Sequence, residues 1–166
     1  MAKEFNTGLM WFRRDLRTDD NAALYHALKS CKTVHCVFIF DKEILDSLPK
    51  SDRRVEFIRE SLVELDESIQ KLAKKEHAGL IVQHAWASEA IPKLAQALAV
   101  QAVFTNHDYE PLAVHRDALV VGKLQVRVLN GAAHSLACLF DFGIGQAHQR
   151  KAGQTIGQMH LYGYPG

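Results

Sequence analysis

Residues able to do chemistry gather in two short stretches. Arg13-Arg14-Asp15-Leu16-Arg17 follows an apolar run, and Asp108-Tyr109-Glu110 stands just before Pro111. Guanidinium groups can hold anions or carboxylates, and carboxylates can accept hydrogen bonds from N–H groups. For Arg13, Arg14, Asp15 and Arg17 the reading is an ion-pair network that pins a loop to a neighbouring helix. It stands ahead of a direct ligand role, because structural networks also collect charge beside sheets. The nine histidines show no HxH or i,i+4 spacing of a ligand pair, so a metal centre is not expected. Cys31, Cys36 and Cys138 form no CxxC pair and read as reduced thiols of a cytoplasmic protein. No P-loop and no nucleophile elbow is present, and no GxGxxG follows the first apolar run.

The elements that must position these residues alternate in type. Strand-like runs at Gly8–Arg13, Thr33–Phe40, Gly79–Gln83 and Ala102–Thr105 are followed by helical patterns at Ala22–Lys29, Arg53–Lys75, Ser88–Leu98 and Pro111–Lys123. In the longest of these, Val55, Ile58, Leu62, Leu65, Ile69 and Leu72 recur at steps of three and four, an apolar stripe opposite a charged, solvated face. Gln125–Leu129 (QVRVL) alternates and supplies the expected fifth strand. Alternating strands and helices imply an α/β, doubly wound, mostly parallel five-stranded sheet flanked by helices, Rossmann-like in class. Ligands in such folds sit at the carboxyl ends of strands, near the switch in strand order. Trp11 and Phe12 belong to the core of that sheet. Residues 1–130 are expected to form the α/β domain, and 131–166, with scattered glycines and no clean period, an irregular tail.

Composition excludes several classes. The chain has 166 residues, enough for one domain with a core, and its formal net charge of +1 gives no global field toward nucleic acid or anionic membrane. No apolar run reaches the ~18 residues of a membrane span, so no membrane partner is expected.

Trp11 to Leu24 (WFRRDLRTDDNAAL) resembles the opening motif of the photolyase and cryptochrome family. The similarity continues through FIFDKEIL (Phe38–Leu45), DRRVEFIRESLVELD (Asp52–Asp66), NHDYEP (Asn106–Pro111) and RDALV (Arg116–Val120), in the family's order. The resemblance implies the family's N-terminal α/β domain, which packs on a helical FAD domain and helps to hold a light-harvesting chromophore. It places Phe38, Ile39, Phe40, Asp41 and Arg53 in the region lining a deazaflavin-type pocket, and Asp108 and Glu110 in the acidic turn that meets a pterin. The residues leave open an 8-hydroxy-deazaflavin, a methenyltetrahydrofolate or an empty pocket.

The family repairs pyrimidine dimers in DNA by light-driven electron transfer from FAD to a flipped-out lesion. FAD and DNA are handled by the helical domain, which is expected to be absent. The chain is accordingly read as a shortened paralogue or disrupted product without catalytic residues or repair activity of its own. A stand-alone nucleotide- or chromophore-binding module, a protein-interaction module and a cryptochrome-derived signalling fragment are the alternatives. A domain built to meet a helical partner should show an apolar patch of more than a few hundred Å². With that face uncovered, it is expected to pair with a second copy.

Overall fold

A computed structural model of the chain describes residues 3–46, 48–49, 52–74, 78–129 and 138–142. Five strands, β1 (Phe5–Phe12), β2 (Cys31–Asp41), β3 (Leu80–Ala85), β4 (Ala102–Asn106) and β5 (Cys138–Phe142), form one sheet in the order β3-β2-β1-β4-β5. Every neighbouring pair is parallel. Between them run α1 (Ala22–Ser30), the one-turn α2 (Lys42–Leu45), α3 (Arg53–Ala73), α4 (Ala87–Ala97) and α5 (Pro111–Leu129). The order reverses between β1 and β4, so the switch-point crevice opens at the carboxyl ends of these two strands.

Period-two alternation divides the central strands between two cores. Met10, Phe12, Cys36 and Phe38 pack with Ala23, Leu24 and Ala27 of α1 and Leu62, Leu65 and Ile69 of α3. Leu9, Trp11, Val37 and Ile39 pack on the opposite face with Ala90, Ile91 and Leu94 of α4 and Val120 and Leu124 of α5. Burial on both faces explains the near-continuous apolarity of β1 and β2. Helix starts follow local chemistry. The side chains of Asn21, Asp41 and Asp52 accept from the backbone N–H of Leu24, Glu43 and Arg54, capping α1, α2 and α3. At α3 the Arg54 guanidinium also grips the Asp52 carboxylate and holds its pKa down at about 2.

One expectation is corrected. Gln125–Leu129 is the last stretch of α5, not a strand. The alternation of QVRVL is a weak local signal, and a helix already propagating from Pro111 adds one hydrogen bond per residue. The fifth strand is instead Cys138–Phe142, in register with Ala102–Asn106 of β4. The sheet therefore reaches beyond residue 130 into the segment expected to be irregular, whose remaining residues lie outside the described ones. Among the described residues no helix is long and apolar enough to cross a membrane.

Two consequences can be measured. A Cβ on Gly8 would stand 2.5 Å from Cys31 Sγ and 3.2 Å from Phe104 Cε2. Gly8→Ala is expected to destabilise by about 1–3 kcal/mol in urea unfolding, the usual cost of overpacking. Burial pushes the Cys31 thiol up to about 12 and raises that of Cys36 as well. Both are expected to resist iodoacetamide at pH 8 in the folded protein and to react in denaturant, as peptide mapping would show.

Candidate functional site

Two side-chain assemblies stand at the carboxyl end of the sheet. The first fills the switch-point crevice. The Asn106 amide donates to Asp15 and to Asn21 Oδ1, and Asn106 Oδ1 accepts from the backbone N–H of Ala23 at the start of α1. Asn21 Nδ2 reaches Asp15 Oδ2 at 2.8 Å. Arg13 donates to the Asn106 carbonyl and, through Nη1, to both oxygens of Asp117 on α5 at 2.8 and 2.7 Å. Arg14 reaches outward, with Nη2 2.6 Å from Glu110 Oε2 and Nε 3.4 Å from Asp108 Oδ2. The bond to Glu110 raises the pKa of Arg14. Arg17 donates to the Asp20 carbonyl at 3.4 Å. Arg13, Arg14 and Asp15 thus form the network expected of them, tying the loop after β1 to α1, to the turn after β4 and to α5. Asp108 and Glu110 come together in it, both held by Arg14.

The second assembly centres on Asp41, the last residue of β2. Its carboxylate is buried and accepts three hydrogen bonds. Oδ1 accepts from the backbone N–H of Glu43 at 3.2 Å and of Ala87 at 3.3 Å, the starts of α2 and α4. Oδ2 accepts from Arg116 Nη1 of α5 at 3.2 Å. The guanidinium groups of Arg116 and Arg13 also lie 5.5 and 5.1 Å from the Trp11 ring centroid. Trp11 is therefore a buried core residue on which two ion pairs rest.

The chromophore-lining candidates divide between the faces. Phe38 and Phe40 share the α1/α3 face, their rings in a T-shaped contact at 5.1 Å. Ile39 lies on the opposite face with α4 and α5. Register places Phe38 beside Val82 and Phe40 beside His84 on edge strand β3. Helix α3 covers the start of that strand, where Asp66 Oδ1 accepts from the Leu80 N–H at 2.7 Å. Farther along, Val82 is 46% exposed, His84 is exposed and Phe40 is only half-buried. Trp86, 47% exposed, follows β3 with extended backbone as the N-cap of α4. The result is a narrow ledge of Phe40, Val82 and His84, while Phe38, 6% exposed, is covered by the α1/α3 core. Arg53 is exposed at the first turn of α3.

Sequence reasoning missed Arg116, Asp117, His84 and Trp86. Mid-helix charges read as a solvated face, and only β1 and β2 reveal their partners. For His84 a usable signal existed, its two-residue spacing from Val82 along β3.

The DNA photolyase family profile matches residues 8–160. The chain belongs to the DNA photolyase family. It corresponds to the family's N-terminal α/β domain. It is 33% identical over 117 residues to the deoxyribodipyrimidine photo-lyase of Synechococcus sp., covering 70% of this chain and 23% of that protein. The corresponding enzyme of Halobacterium salinarum is 35% identical over 136 residues, 76% of this chain and 26% of its own length. Cryptochrome-2 of Gallus gallus is 32% identical over 117 residues, 70% of this chain and 19% of its own. The chain thus spans about a fifth to a quarter of the length of these relatives. Among solved structures, the archaeal photolyase of Sulfolobus tokodaii superposes over 93% of this chain and 38% of its own, with a TM-score of 0.73 and 24% identity, which shows a shared fold. That protein was solved with two FAD molecules, with the implication of a novel light-harvesting cofactor.

The two assemblies predict different costs. Asp41→Ala leaves Arg116 buried without its partner and two helix starts uncapped, and is expected to cost about 3–5 kcal/mol in chemical denaturation. Arg14→Ala removes a surface pair and is expected to cost under about 1 kcal/mol.

Proposed function

We propose that this domain is the light-harvesting part of a photolyase-type protein. In this reading it holds a flat chromophore at the carboxyl ends of β2 and β3 and passes excitation to FAD in a helical domain. It has no repair activity of its own. The observation carrying this is the register that sets half-buried Phe40 beside exposed His84, next to Val82, which is 46% exposed. Aromatic rings on such a ledge give a fused ring a place to stack. The switch-point crevice, where an α/β domain ordinarily receives a ligand, is filled by Asn106, Asp15, Asn21 and Arg13. The FAD pair and implied light-harvesting cofactor of the Sulfolobus tokodaii photolyase favour a flavin-type ring over a folate.

The helical FAD domain of full-length relatives is the partner in this reading, and DNA is reached only through it. Leu112 and Leu119, one face of α5 by their spacing, and Tyr109 just before it are 68%, 42% and 75% exposed. They give such a partner apolar side chains to cover.

Loading purified protein with flavin mononucleotide, 8-hydroxy-5-deazaflavin and methenyltetrahydrofolate in turn, followed by gel filtration and absorption spectroscopy, tests the reading. A fused-ring band is expected to travel with the protein, and Phe40→Ala should weaken its binding by about 0.5–1.5 kcal/mol. Glu110→Ala should leave that binding unchanged. Retention of the folate alone, abolished by Glu110→Ala, would move the site to the Asp108–Glu110 turn. Retention of none of the three would refute the light-harvesting role.

A further inference from the structure

Strand β3 is an edge of the described sheet, paired with β2 on one side only. Edge strands present unpaired N–H and C=O groups, and proteins usually blunt them with Lys, Pro, a bulge or a covering segment. Leu80–Ala85 (LIVQHA) contains no Lys, Arg, Asp, Glu or Pro, and pairs with Cys36–Asp41 without a break in register. Its protection lies at the first residue. The Leu80 N–H donates to Asp66 Oδ1 of α3 at 2.7 Å, so it points away from β2. Main-chain groups alternate sides along a strand, just as side chains alternate faces. Val82 and His84 therefore direct their N–H and C=O groups outward as Leu80 does. Among the described residues no further strand lies there to receive them.

The same contact fixes which side of α3 flanks this edge. Val63 and Arg59, three and seven residues before Asp66, share that side of the helix. Val63 is 58% exposed. Val82, in line with Leu80 on the α3 face of the sheet, is 46% exposed. Because α3 returns the chain between two parallel strands, it runs antiparallel to β3. Val63 lies ~4.5 Å along the helix from Asp66, and Val82 ~6.6 Å along the strand from Leu80. The two valines thus stand at nearly one level. One turn to either side of Val63 are exposed charges of opposite sign, Arg59 and Glu67. Glu67 otherwise makes only a surface pair with Lys71, at 3.5 Å.

We propose that the β3 edge is a self-association surface. A second copy pairs its β3 antiparallel to this one about a two-fold axis near Val82, and the sheet runs on through both copies. That rotation keeps the two α3 helices on one side of the joined sheet. It brings Val63 and Val82 against their counterparts and sets Arg59 opposite the second copy's Glu67. An unrelated strand would meet the same main-chain groups. The order Arg59, Val63, Glu67 is complementary to its own reverse, however, and this selects a copy of the same chain. The contact uses the outer edge of β3 with α3, and does not depend on the light-harvesting reading. An edge ~20 Å long with one turn of helix on each side falls short of the ~800 Å² per partner of a standard interface. The dimer therefore dissociates on dilution.

Sedimentation velocity and amide hydrogen exchange on the intact chain, at low micromolar and at submillimolar protein, test this together. The dimer fraction is expected to rise with concentration. The Val82 and His84 amides should slow severalfold as it does, whereas Ile81 and Gln83, bonded to β2, stay slow throughout. Arg59→Glu and Glu67→Arg, both at exposed helix positions, should each weaken dimerisation about five- to tenfold. The double variant should return to within about twofold of wild type, because the charges meet again with signs exchanged. A monomer at every concentration would overturn the proposal. So would a dimer in which Val82 and His84 exchange as fast as in the monomer, which would move the contact to another face such as α5. Protection of these amides at all concentrations would show the edge covered within one chain, and would overturn it too. Failure of the double variant to recover, with native circular dichroism, would refute the two-fold arrangement.

Discussion

The carboxylate of Asp41 sits where β2 ends, enclosed by the first N–H groups of α2 and α4 and by the Arg116 guanidinium of α5. Burying two such charges costs several kcal/mol each, and the three hydrogen bonds to the carboxylate offset that cost. Here the donors come from three separate elements, so the pair forms only when all of them are in place. Arg116 then rests on Trp11 of β1, together with Arg13, whose partner Asp117 is the next residue of α5. Two ion pairs and one indole thereby lock β1, β2, α4 and α5 into a common register. Shifting any one strand would strand a buried charge.

That lock divides the carboxyl end of the sheet into two regions of different character. Between β1 and β4 the chain satisfies its own polar groups, with Asn106 bridging Asp15, Asn21 and the first turn of α1. Along β3 it leaves Val82 and His84 exposed beside the half-buried Phe40 of β2. A doubly wound fold offers ligands the first region by topology. In this member Asn106, Asp15, Asn21 and Arg13 hydrogen-bond to one another there, and the exposed apolar surface of Val82 lies on the other side of β2.

Much of this was legible in the sequence, for identifiable reasons. β1, β2 and β4 are mostly buried strands, and their apolar runs announce it. The stripe from Val55 to Leu72 marks α3, and Asn21 and Asp52 mark helix starts. The motif around Arg13 to Arg17 foretold an ion-pair loop. What was not legible depends on distant partners. Gln125–Leu129 carries a strand-like local pattern inside a helix set by residues upstream. Cys138–Phe142 is five residues of strand among glycines, given its conformation by the neighbouring edge of β4. Arg116 and Asp117 look like solvent-facing helix charges until β2 and β1 arrive beside them. Asp41, expected to line a chromophore pocket, has three internal partners in the structure. Ile39, grouped with Phe38 and Phe40 by adjacency in sequence, falls on the opposite face because strands alternate.

The central claim is spatial: the ligand site lies on the β2/β3 ledge and not in the switch-point crevice. Amide chemical-shift mapping during titration with flavin mononucleotide tests it most directly, since it reports position without relying on any substitution. The account predicts perturbations concentrated at Phe38 to Asp41 and at Val82 to Ala87, with Arg13 to Asp15 and Asn106 to Glu110 unmoved. Perturbations concentrated at those latter residues, with Val82 to Ala87 silent, would contradict it.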